Sequence, residues 1–310
     1  MNVAVAVQNL TKRYGDIIAV DHISFEVKQG EIFGFLGPNG AGKTTTIRIL
    51  TGIIKPDVGK ATIMGYDIEK EPLQAKQIMG IVPEMSNAYI DLSAWNNLML
   101  IGEIYGVPKK QRVERAQKLL GEFGLYDRRK QLVRGFSKGM KQKLILCMAL
   151  INEPEILFLD EPTSGLDVES AKLIKEMIME LNTAGTTVFL TTHNMEEANK
   201  LCDRIAIINH GKIAAIDTPE SLRMKSSGLQ SIEASFDHPA NMDDLAKIQY
   251  IEQVKKMGDK IKLYTNDPNE VLNCIVDYAR LHKLKIVTLN TVAPSLEDVF
   301  LKLTQTKQEE

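Results

Sequence analysis

A glycine-rich segment restricts the fold of this chain more than any other feature of its sequence. Residues 37–44 read GPNGAGKT and follow the pattern GxxxxGK(S/T). The apolar run at 31–37 predicts a buried strand, and the residues from about Lys43 to Gly52 predict a helix. The glycines let backbone N–H groups converge on an anion at the helix N-terminus, where unpaired donors and the helix dipole favour negative charge. The segment therefore predicts a phosphate-binding loop at a strand-to-helix turn.

Each residue type in this loop has a definite chemical role in the prediction. The ammonium of Lys43 can reach the β- and γ-phosphates of a nucleotide, and the hydroxyl of Thr44 can ligate magnesium. A glycine-rich turn with an incidental lysine is the alternative, and the position between a strand and a helix argues against it. The residues expected to surround the nucleotide phosphates are Gly37, Pro38, Asn39, Gly40, Ala41, Gly42, Lys43, Thr44 and Thr45.

A second segment, ILFLDEP at residues 156–162, supplies acidic groups. Its apolar residues predict a buried strand that ends at Asp160, where a carboxylate can hold the magnesium shell. Glu161 follows directly and can polarise an attacking water. An exposed acidic pair at a strand end is the alternative, and the phosphate-binding loop earlier in the chain favours the catalytic interpretation.

Composition argues against several other classes of protein. The formal net charge is −2 and no basic-aromatic stripe is present, so a strong general affinity for nucleic acid is not expected. The three cysteines are far apart and none forms a CxxC pair, which disfavours a zinc site or a disulfide framework. The apolar runs are shorter than the ~20 residues of a membrane helix. The N-terminus alternates like a strand and does not resemble a signal peptide. We therefore expect a chain that does not itself cross a membrane.

The order of the predicted elements indicates an α/β domain with two additions. Short strands are expected within residues 2–28, and strand-helix alternation across the domain at 1–220 predicts a mostly parallel sheet. Helical spacing of apolar residues predicts a helical insertion at about 85–150. A linker is expected at 221–229, followed by a small α+β domain at 230–310 with no visible catalytic cluster.

Three further segments follow in order, namely FSKGM at 136–140, SGLD at 164–167 and TTH at 191–193. With the loop at 37–44 and the acidic pair, they resemble the motifs of the ATP-binding cassette (ABC) family over roughly residues 3–220. The resemblance implies a P-loop NTPase cassette with a mixed-sheet core, which binds ATP and Mg²⁺.

The resemblance also implies contacts with the nucleotide outside the loop. Ser137 and Gly139 would bind the γ-phosphate of an ATP held by a partner subunit, although by its sequence alone Ser137 fits a helix N-cap better. Tyr14 would stack on adenine, with a tyrosine that merely flanks a turn as the alternative. Asp167 would belong to the D-loop.

The catalytic and metal-binding sets are implied in the same way. The catalytic residues would be Lys43, Glu161 and His193. A lone histidine is usually structural, but His193 ends a predicted strand after the other motifs and would contact the γ-phosphate. The metal-binding residues would be Thr44, Asp160 and, through a water molecule, Glu84.

The chain departs from the family pattern at three positions. The segment FSKGM resembles the family's signature loop, in which Lys138 replaces a glycine and Met140 replaces a glutamine. Glu84 stands where the family's Q-loop usually has a glutamine. Glu84 can accept a hydrogen bond from a metal-bound water but cannot donate as an amide does, so its effect on metal geometry is left open. These variants and the segment 293–304 resemble exporter cassettes that pair with a separate permease, a group that includes drug and sodium efflux systems.

The implied function is that of an ATP-hydrolysing subunit of such an exporter. Two copies would close head to tail around two ATP molecules and would energise membrane permease subunits at the cytoplasmic face of the cell membrane. Met85, Tyr89 and Trp95 are expected to line the groove that receives the permease's coupling helix. For Trp95, packing of the helical insertion is the alternative. The competing functions are a soluble cassette ATPase that acts on ribosomes or DNA and a non-catalytic regulatory module.

Overall fold

The computed structural model describes residues 2–85, 88–225, 230–292 and 295–305. The chain divides into two compact units, Met1–Thr218 and Pro219–Glu310. Each unit has its own hydrophobic core. Within the described part of the chain, no helix is both long enough and apolar enough to span a bilayer.

Strands dominate the core of the first unit. In chain order they are β1 (Val3–Tyr14), β2 (Ile17–Lys28), β3 (Ile32–Leu36), β4 (Val58–Ile63), β5 (Tyr66–Asp67), β6 (Met79–Val82), β7 (Ile156–Asp160), β8 (Thr187–Thr192), β9 (Arg204–Asn209) and β10 (Lys212–Asp217). The helices are α1 (Lys43–Leu50), α2 (Pro72–Gln77), α3 (Ala94–Ile104), α4 (Lys109–Glu122), α5 (Lys138–Leu150), α6 (Val168–Thr183) and α7 (Met195–Leu201).

The central sheet has the strand order β10-β9-β3-β8-β7-β6. Its pairs are parallel from β9 through β6, and only the edge strand β10 pairs antiparallel, with β9. Every residue of β3, β7 and β8 is buried, as expected for parallel strands covered on both faces. The predicted α/β class is confirmed, and the carboxyl ends of β3, β8 and β7 lie side by side.

A second, antiparallel sheet has the order β2-β1-β4-β5 and packs on the first. The short strands expected within residues 2–28 are in fact two long strands. Register shifts occur in the β1–β2 ladder, for example between Val7 and Leu10. Such a shift lets β1 continue through the polar residues between these two positions. Phe25 of β2 lies 5.7 Å from Phe33, 5.5 Å from Phe35 and 6.0 Å from Phe189, measured between ring centroids. These rings join the two sheets.

The helical insertion consists of α3, α4 and α5, which pack on one another. The stretch from Ala88 to Ser93, within the predicted insertion, is not helical. Ser93 ends it by capping α3, where its hydroxyl accepts a hydrogen bond from the backbone N–H of Asn96 at 3.1 Å. Residues 86 and 87 lie outside the described part of the chain.

The expected linker at 221–229 differs from what the structure shows. A helix, α8 (Pro219–Lys225), covers its first part. Pro219 opens this helix, where a missing N–H is tolerated, Leu222 is buried, and the helix belongs to the second unit. The remaining positions, 226–229, lie outside the described residues.

The rest of the second unit alternates strands and helices. They are β11 (Gln230–Phe236), α9 (Met242–Leu245), β12 (Ile251–Met257), β13 (Lys260–Thr265), α10 (Pro268–Leu281), β14 (Ile286–Val292) and α11 (Leu296–Gln305). The antiparallel sheet order is β12-β13-β11-β14, so β11 to β14 have the βαββαβ arrangement of a split, ferredoxin-like unit. The apolar side chains of β11, β13 and α10 form its core.

A buried polar cluster attaches α11 to this sheet. Lys262 on β13 lies 3.0 Å from Asp298 Oδ2, and the Tyr264 hydroxyl donates to Asp298 Oδ1 at 2.9 Å. Ser295 donates to Oδ2 from both its N–H and its hydroxyl. Burial opposes ionisation of Asp298, but the hydrogen bonds from Ser295 and the Lys262 ammonium outweigh it and lower the pKa of this carboxyl. The cluster holds α11 through the partly buried carboxylate of Asp298.

We predict that Asp298→Asn loosens α11 by about 1–3 kcal/mol, because Lys262 keeps its buried charge and loses its carboxylate partner. Hydrogen exchange at the amides of residues 296–300 in the full chain measures the change. Since the folded-state pKa is lowered, the stabilisation is present above the unfolded pKa of about 3.9 and disappears as the pH falls through the folded value. Asp277→Asn, which removes an exposed pair with Arg280, is the control and should change exchange little.

Candidate nucleotide-binding and catalytic site

The carboxyl ends of three adjacent strands bring the predicted motifs together. The glycine-rich loop follows β3, the acidic pair ends β7, and His193 follows β8, which pairs with both other strands. In open α/β sheets ligands bind outside the carboxyl ends of the strands, where helix N-termini also point. The fold therefore places the phosphate loop, the two carboxylates and the histidine at one edge.

Close backbone contacts fix the shape of the glycine-rich loop. Gly42 has a φ of 107°, and a Cβ there would lie 2.4 Å from the carbonyl oxygen of Ala19 on β2. At Gly37, a Cβ would lie 2.4 Å from the carbonyl oxygen of Ile208 on β9. Both positions exclude larger residues, so the loop is held between a strand of each sheet with its N–H groups at the start of α1.

Lys43 is folded over this loop. Its side chain is only 6% exposed, and Nζ donates to the carbonyl oxygens of Gly37 at 2.8 Å and Pro38 at 3.1 Å. The same nitrogen lies 3.2 Å from Glu161 Oε1. The ammonium is thus a nearly buried cation at the centre of the loop, and its contact with nucleotide phosphates stays a prediction.

The acidic pair has two different environments. Asp160 Oδ1 accepts hydrogen bonds from Thr191 at 2.6 Å and from Thr44 at 3.3 Å, both through hydroxyl groups. Glu161 has a φ of 51°, which is unusual for a residue with a side chain and is often found at functional sites. Its N–H donates to the carbonyl oxygen and the hydroxyl of Thr191, both at 3.1 Å, which anchors this conformation.

The carboxylate of Glu161 is only 8% exposed and joins the other catalytic candidates. Oε2 lies 2.8 Å from His193 Nδ1, while Oε1 faces Lys43. Apart from this ion pair, Oε1 accepts no hydrogen bond from the described residues. One oxygen of the carboxylate is therefore held by the histidine, and the other is paired with the Lys43 ammonium.

A cavity of about 320 Å³ opens in front of these groups. It is lined by Ala19, Asn39, Gly40, Gly42, Lys43, Thr44, Thr45, Glu84 and Glu161. Glu84, the residue in place of the usual glutamine, thus lies at the same cavity as the phosphate loop. A hydroxyl and carboxylates beside a helix N-terminus suit a hard cation that also keeps water and phosphate ligands.

Other predicted contacts lie outside the lining of this cavity. Ser137 caps α5, since its hydroxyl accepts from Met140 N–H at 3.2 Å, which is the alternative the sequence offered. A Cβ at Gly139 would lie 2.5 Å from Ser170 Oγ. Asp167 caps α6 by accepting from Ser170 N–H at 2.8 Å. Tyr14 is half-exposed at the end of β1. Their proposed contacts with ATP stay predictions.

Lys138, the unusual residue of the signature, reaches the D-loop of its own chain. A Cβ at Gly165 would lie 2.2 Å from Lys138 Nζ, so the ammonium occupies the space beside this glycine. Gly139 likewise lies against Ser170. The signature segment at 136–140 and the D-loop at 164–167 are therefore neighbours within one chain.

Two residues that organise the site were not predicted from the sequence. Thr191 connects the acidic pair to β8, and the buried carboxylate of Glu197 on α7 accepts from Thr163 and Thr192. The signal for Thr191 in the sequence was the polar pair Thr191-Thr192 at the end of the apolar strand β8. The contacts of Glu197 join segments distant in the sequence, so no local pattern reveals them.

These features together define a P-loop nucleoside triphosphatase. Comparison with known proteins gives the family. Residues 20–164 match the ABC transporter family, and residues 218–304 match the C-terminal domain of DrrA1-3-like ATP-binding proteins. The chain belongs to the ABC transporter family.

Similar proteins span almost the whole chain. It is 38% identical to the linearmycin resistance ATP-binding protein LnrL of Bacillus subtilis (strain 168), over 96% of this chain and 97% of that protein. It is also 38% identical to the Nod factor export ATP-binding protein I of Rhizobium sp. (strain N33), over 99% of each. A solved ATP-binding subunit of an ABC transporter superposes with a TM-score of 0.66 at 31% identity, covering 72% of this chain and 92% of that one.

The predicted function class is confirmed by these similarities. The chain is an ATP-binding and ATP-hydrolysing subunit of an ABC exporter. Neither relative is named for an action on ribosomes or DNA, so the alternative gains no support.

We predict that Glu161→Gln lowers kcat for ATP hydrolysis by about 10²–10⁴-fold while ATP still binds, because an amide cannot take a proton from water. Lys43→Ala should instead abolish binding, because the site loses its central cation. Steady-state hydrolysis and equilibrium binding of a fluorescent ATP analogue distinguish the two effects. Glu176→Gln, at an exposed position on α6, is the control. Normal turnover by Glu161→Gln would exclude Glu161 as the base.

Proposed function

We propose that two copies of this chain bind two ATP molecules head to tail and use their hydrolysis, with Mg²⁺, to drive a separate membrane permease. The observation that carries the proposal is the split location of the motifs. Lys43 and Glu161 line one cavity and His193 contacts Glu161, whereas neither Ser137 nor Asp167 is among the lining residues. A second copy can supply the signature that each cavity lacks.

The chemistry follows from the contacts at the cavity. ATP phosphates would draw Lys43 away from Glu161, which leaves Oε1 free to accept a proton from the attacking water. With a hydrogen on each ring nitrogen, His193 would donate Nδ1–H to Glu161 and Nε2–H to a γ-phosphate oxygen. Thr44 and Asp160, with Glu84 through a water, would hold the Mg²⁺, which neutralises charge on the phosphates. ADP and inorganic phosphate leave, and the two copies reopen.

A non-catalytic regulatory module does not fit the contacts at this cavity. It would require a site that binds nucleotide without activating water. The 2.8 Å contact between Glu161 and His193, beside a nearly buried Lys43, favours catalysis. In this proposal the chain works at the cytoplasmic face of the membrane, and the permease selects the exported compound.

The proposed dimer predicts a change of oligomeric state. Glu161→Gln with ATP and Mg²⁺ should elute as a dimer in size-exclusion chromatography with light scattering, because ATP binds the closed pair and is not consumed. Adding Ser137→Arg to this variant should keep it monomeric by crowding the partner's γ-phosphate.

Thr183→Arg, at the exposed C-terminal end of α6, is the matched control and should still dimerise. A purified permease complex that contains a single copy of the chain would contradict the proposal.

A permease surface is proposed next to the cavity, at Met85 and Tyr89. Met85 is 82% exposed and Tyr89 49%, and Met85 directly follows Glu84 at the cavity. The backbone of Tyr89 is nevertheless fixed. Its N–H donates to Asn97 Oδ1 at 2.8 Å and its carbonyl accepts from Asn97 Nδ2 at 3.0 Å. Asn97 is fully buried on α3. Its side chain holds the backbone of Tyr89, whose aromatic ring is exposed on an ordered loop.

Trp95 lines a different recess in the helical insertion. This recess measures about 590 Å³ and also contains Tyr126, Arg129 and Lys130, but neither Met85 nor Tyr89 is in its lining. The backbone N–H of Trp95 donates to the carbonyl oxygen of Arg129 at 2.9 Å. The proposed surface is therefore centred on Met85 and Tyr89, and a docking role for Trp95 stays a prediction.

We predict that Tyr89→Asp reduces copurification with the permease at least tenfold and abolishes transport, because a charge replaces an apolar contact area. Basal ATP hydrolysis by the isolated chain should stay within about twofold, since Tyr89 does not line the ATP cavity. Tyr66→Asp, another exposed tyrosine of the same unit, is the control. Equal permease capture by Tyr89→Asp and wild type would move the interface elsewhere.

A further inference from the structure

The buried carboxylate of Glu197 bridges the two segments that carry the catalytic candidates. Oε1 accepts the hydroxyl of Thr163 at 2.6 Å, and Oε2 accepts the hydroxyl of Thr192 at 2.7 Å. Glu197 is 1% exposed, so both oxygens depend on protein donors. The proposed chemistry makes no use of this group.

The two threonines are placed next to Glu161 and His193 in the chain. Thr163 follows Glu161 by two residues, and Thr192 directly precedes His193. Between the catalytic side chains themselves the link is one 2.8 Å contact, and His193 is half-exposed. A side chain with so little packing of its own needs its backbone fixed by neighbouring contacts.

The start of α7 fixes Glu197 in turn. Asn194 caps this helix by accepting from Glu197 N–H at 3.0 Å, and Asn194 N–H donates to the hydroxyl of Thr192 at 3.0 Å. The residues on both sides of His193 therefore share one network with Glu197. Hydroxyl donors to a buried carboxylate make strong, charge-assisted hydrogen bonds, so the bridge is rigid.

We infer that Glu197 is a positioning residue for ATP hydrolysis, which sets the distance between Glu161 and His193 by bonding both of their segments. It does not touch ATP and moves no proton. If the bridge is broken, the segment with His193 can shift relative to Glu161. A displacement near 1 Å costs about 10²-fold in rate at a catalytic centre. The inference rests on the proposed roles of Glu161 and His193.

Glu197→Ala in the full chain tests this inference. We expect kcat to fall by 10-fold or more, while KM for ATP and affinity for a fluorescent ATP analogue stay within twofold, because the phosphate loop is untouched. Glu197→Gln should recover part of the loss, since its amide can still accept from one threonine and donate to the other. Glu196→Ala, at the exposed neighbouring position, is the control and should behave as wild type.

Two gentler variants cover the case in which Glu197→Ala fails to fold. Thr163→Val and Thr192→Val each remove one hydroxyl at nearly constant shape, and each should lower kcat without changing ATP affinity. A purely structural role would give lower melting temperatures with unchanged kcat per folded molecule. That result would overturn the inference.

A double-mutant comparison tests whether Glu197 acts through the histidine. In a His193→Ala chain, adding Glu197→Gln should lower kcat by less than twofold, because the group it positions is gone. If the two substitutions instead lower kcat by independent factors that multiply, the inference is refuted. If Glu161→Gln and His193→Ala keep full activity, the proposed chemistry itself fails. If both lose activity while the Glu197 and threonine variants keep theirs, only the role of Glu197 fails.

Discussion

Because β8 pairs in parallel with both β3 and β7, the residues that follow these three strands leave the sheet at one edge. This pairing brings together a loop, an acidic pair and a histidine that are far apart in the sequence. The strands are buried on both faces, so their register tolerates little change. The cavity, the Lys43–Glu161 ion pair and the Glu161–His193 contact all depend on it.

The same edge carries one buried cation, Lys43, beside three buried carboxylates, Asp160, Glu161 and Glu197. Lys43 is nearly buried and would be costly to desolvate alone, but loop carbonyls and Glu161 surround it. Asp160 and Glu197 are buried as well, and threonine hydroxyls satisfy them. Hydroxyl groups at the ends of β7 and β8 therefore keep the carboxylates in place without adding charge to the site.

Local patterns in the sequence predicted the phosphate loop, the buried strands and the acidic pair, because each depends on residue types at fixed spacing. The role of His193 was implied by the resemblance to the ABC family. The N-cap interpretation of Ser137 was likewise available from the sequence. The long strands β1 and β2 were missed because ladder irregularities carry them through polar residues. Helix α8 and the bridge at Glu197 were missed because tertiary packing and hydrogen bonds between distant segments create them.

The phenylalanine cluster has a mechanical consequence. Phe25 ties the antiparallel sheet to β3 and β8, and Ala19 on the same strand abuts Gly42 in the phosphate loop. Tightly packed rings do not slide past one another. The phosphate loop and the β1–β2 edge of the antiparallel sheet therefore move as one rigid body. Any opening or closing of the nucleotide cavity must occur at residues outside this body.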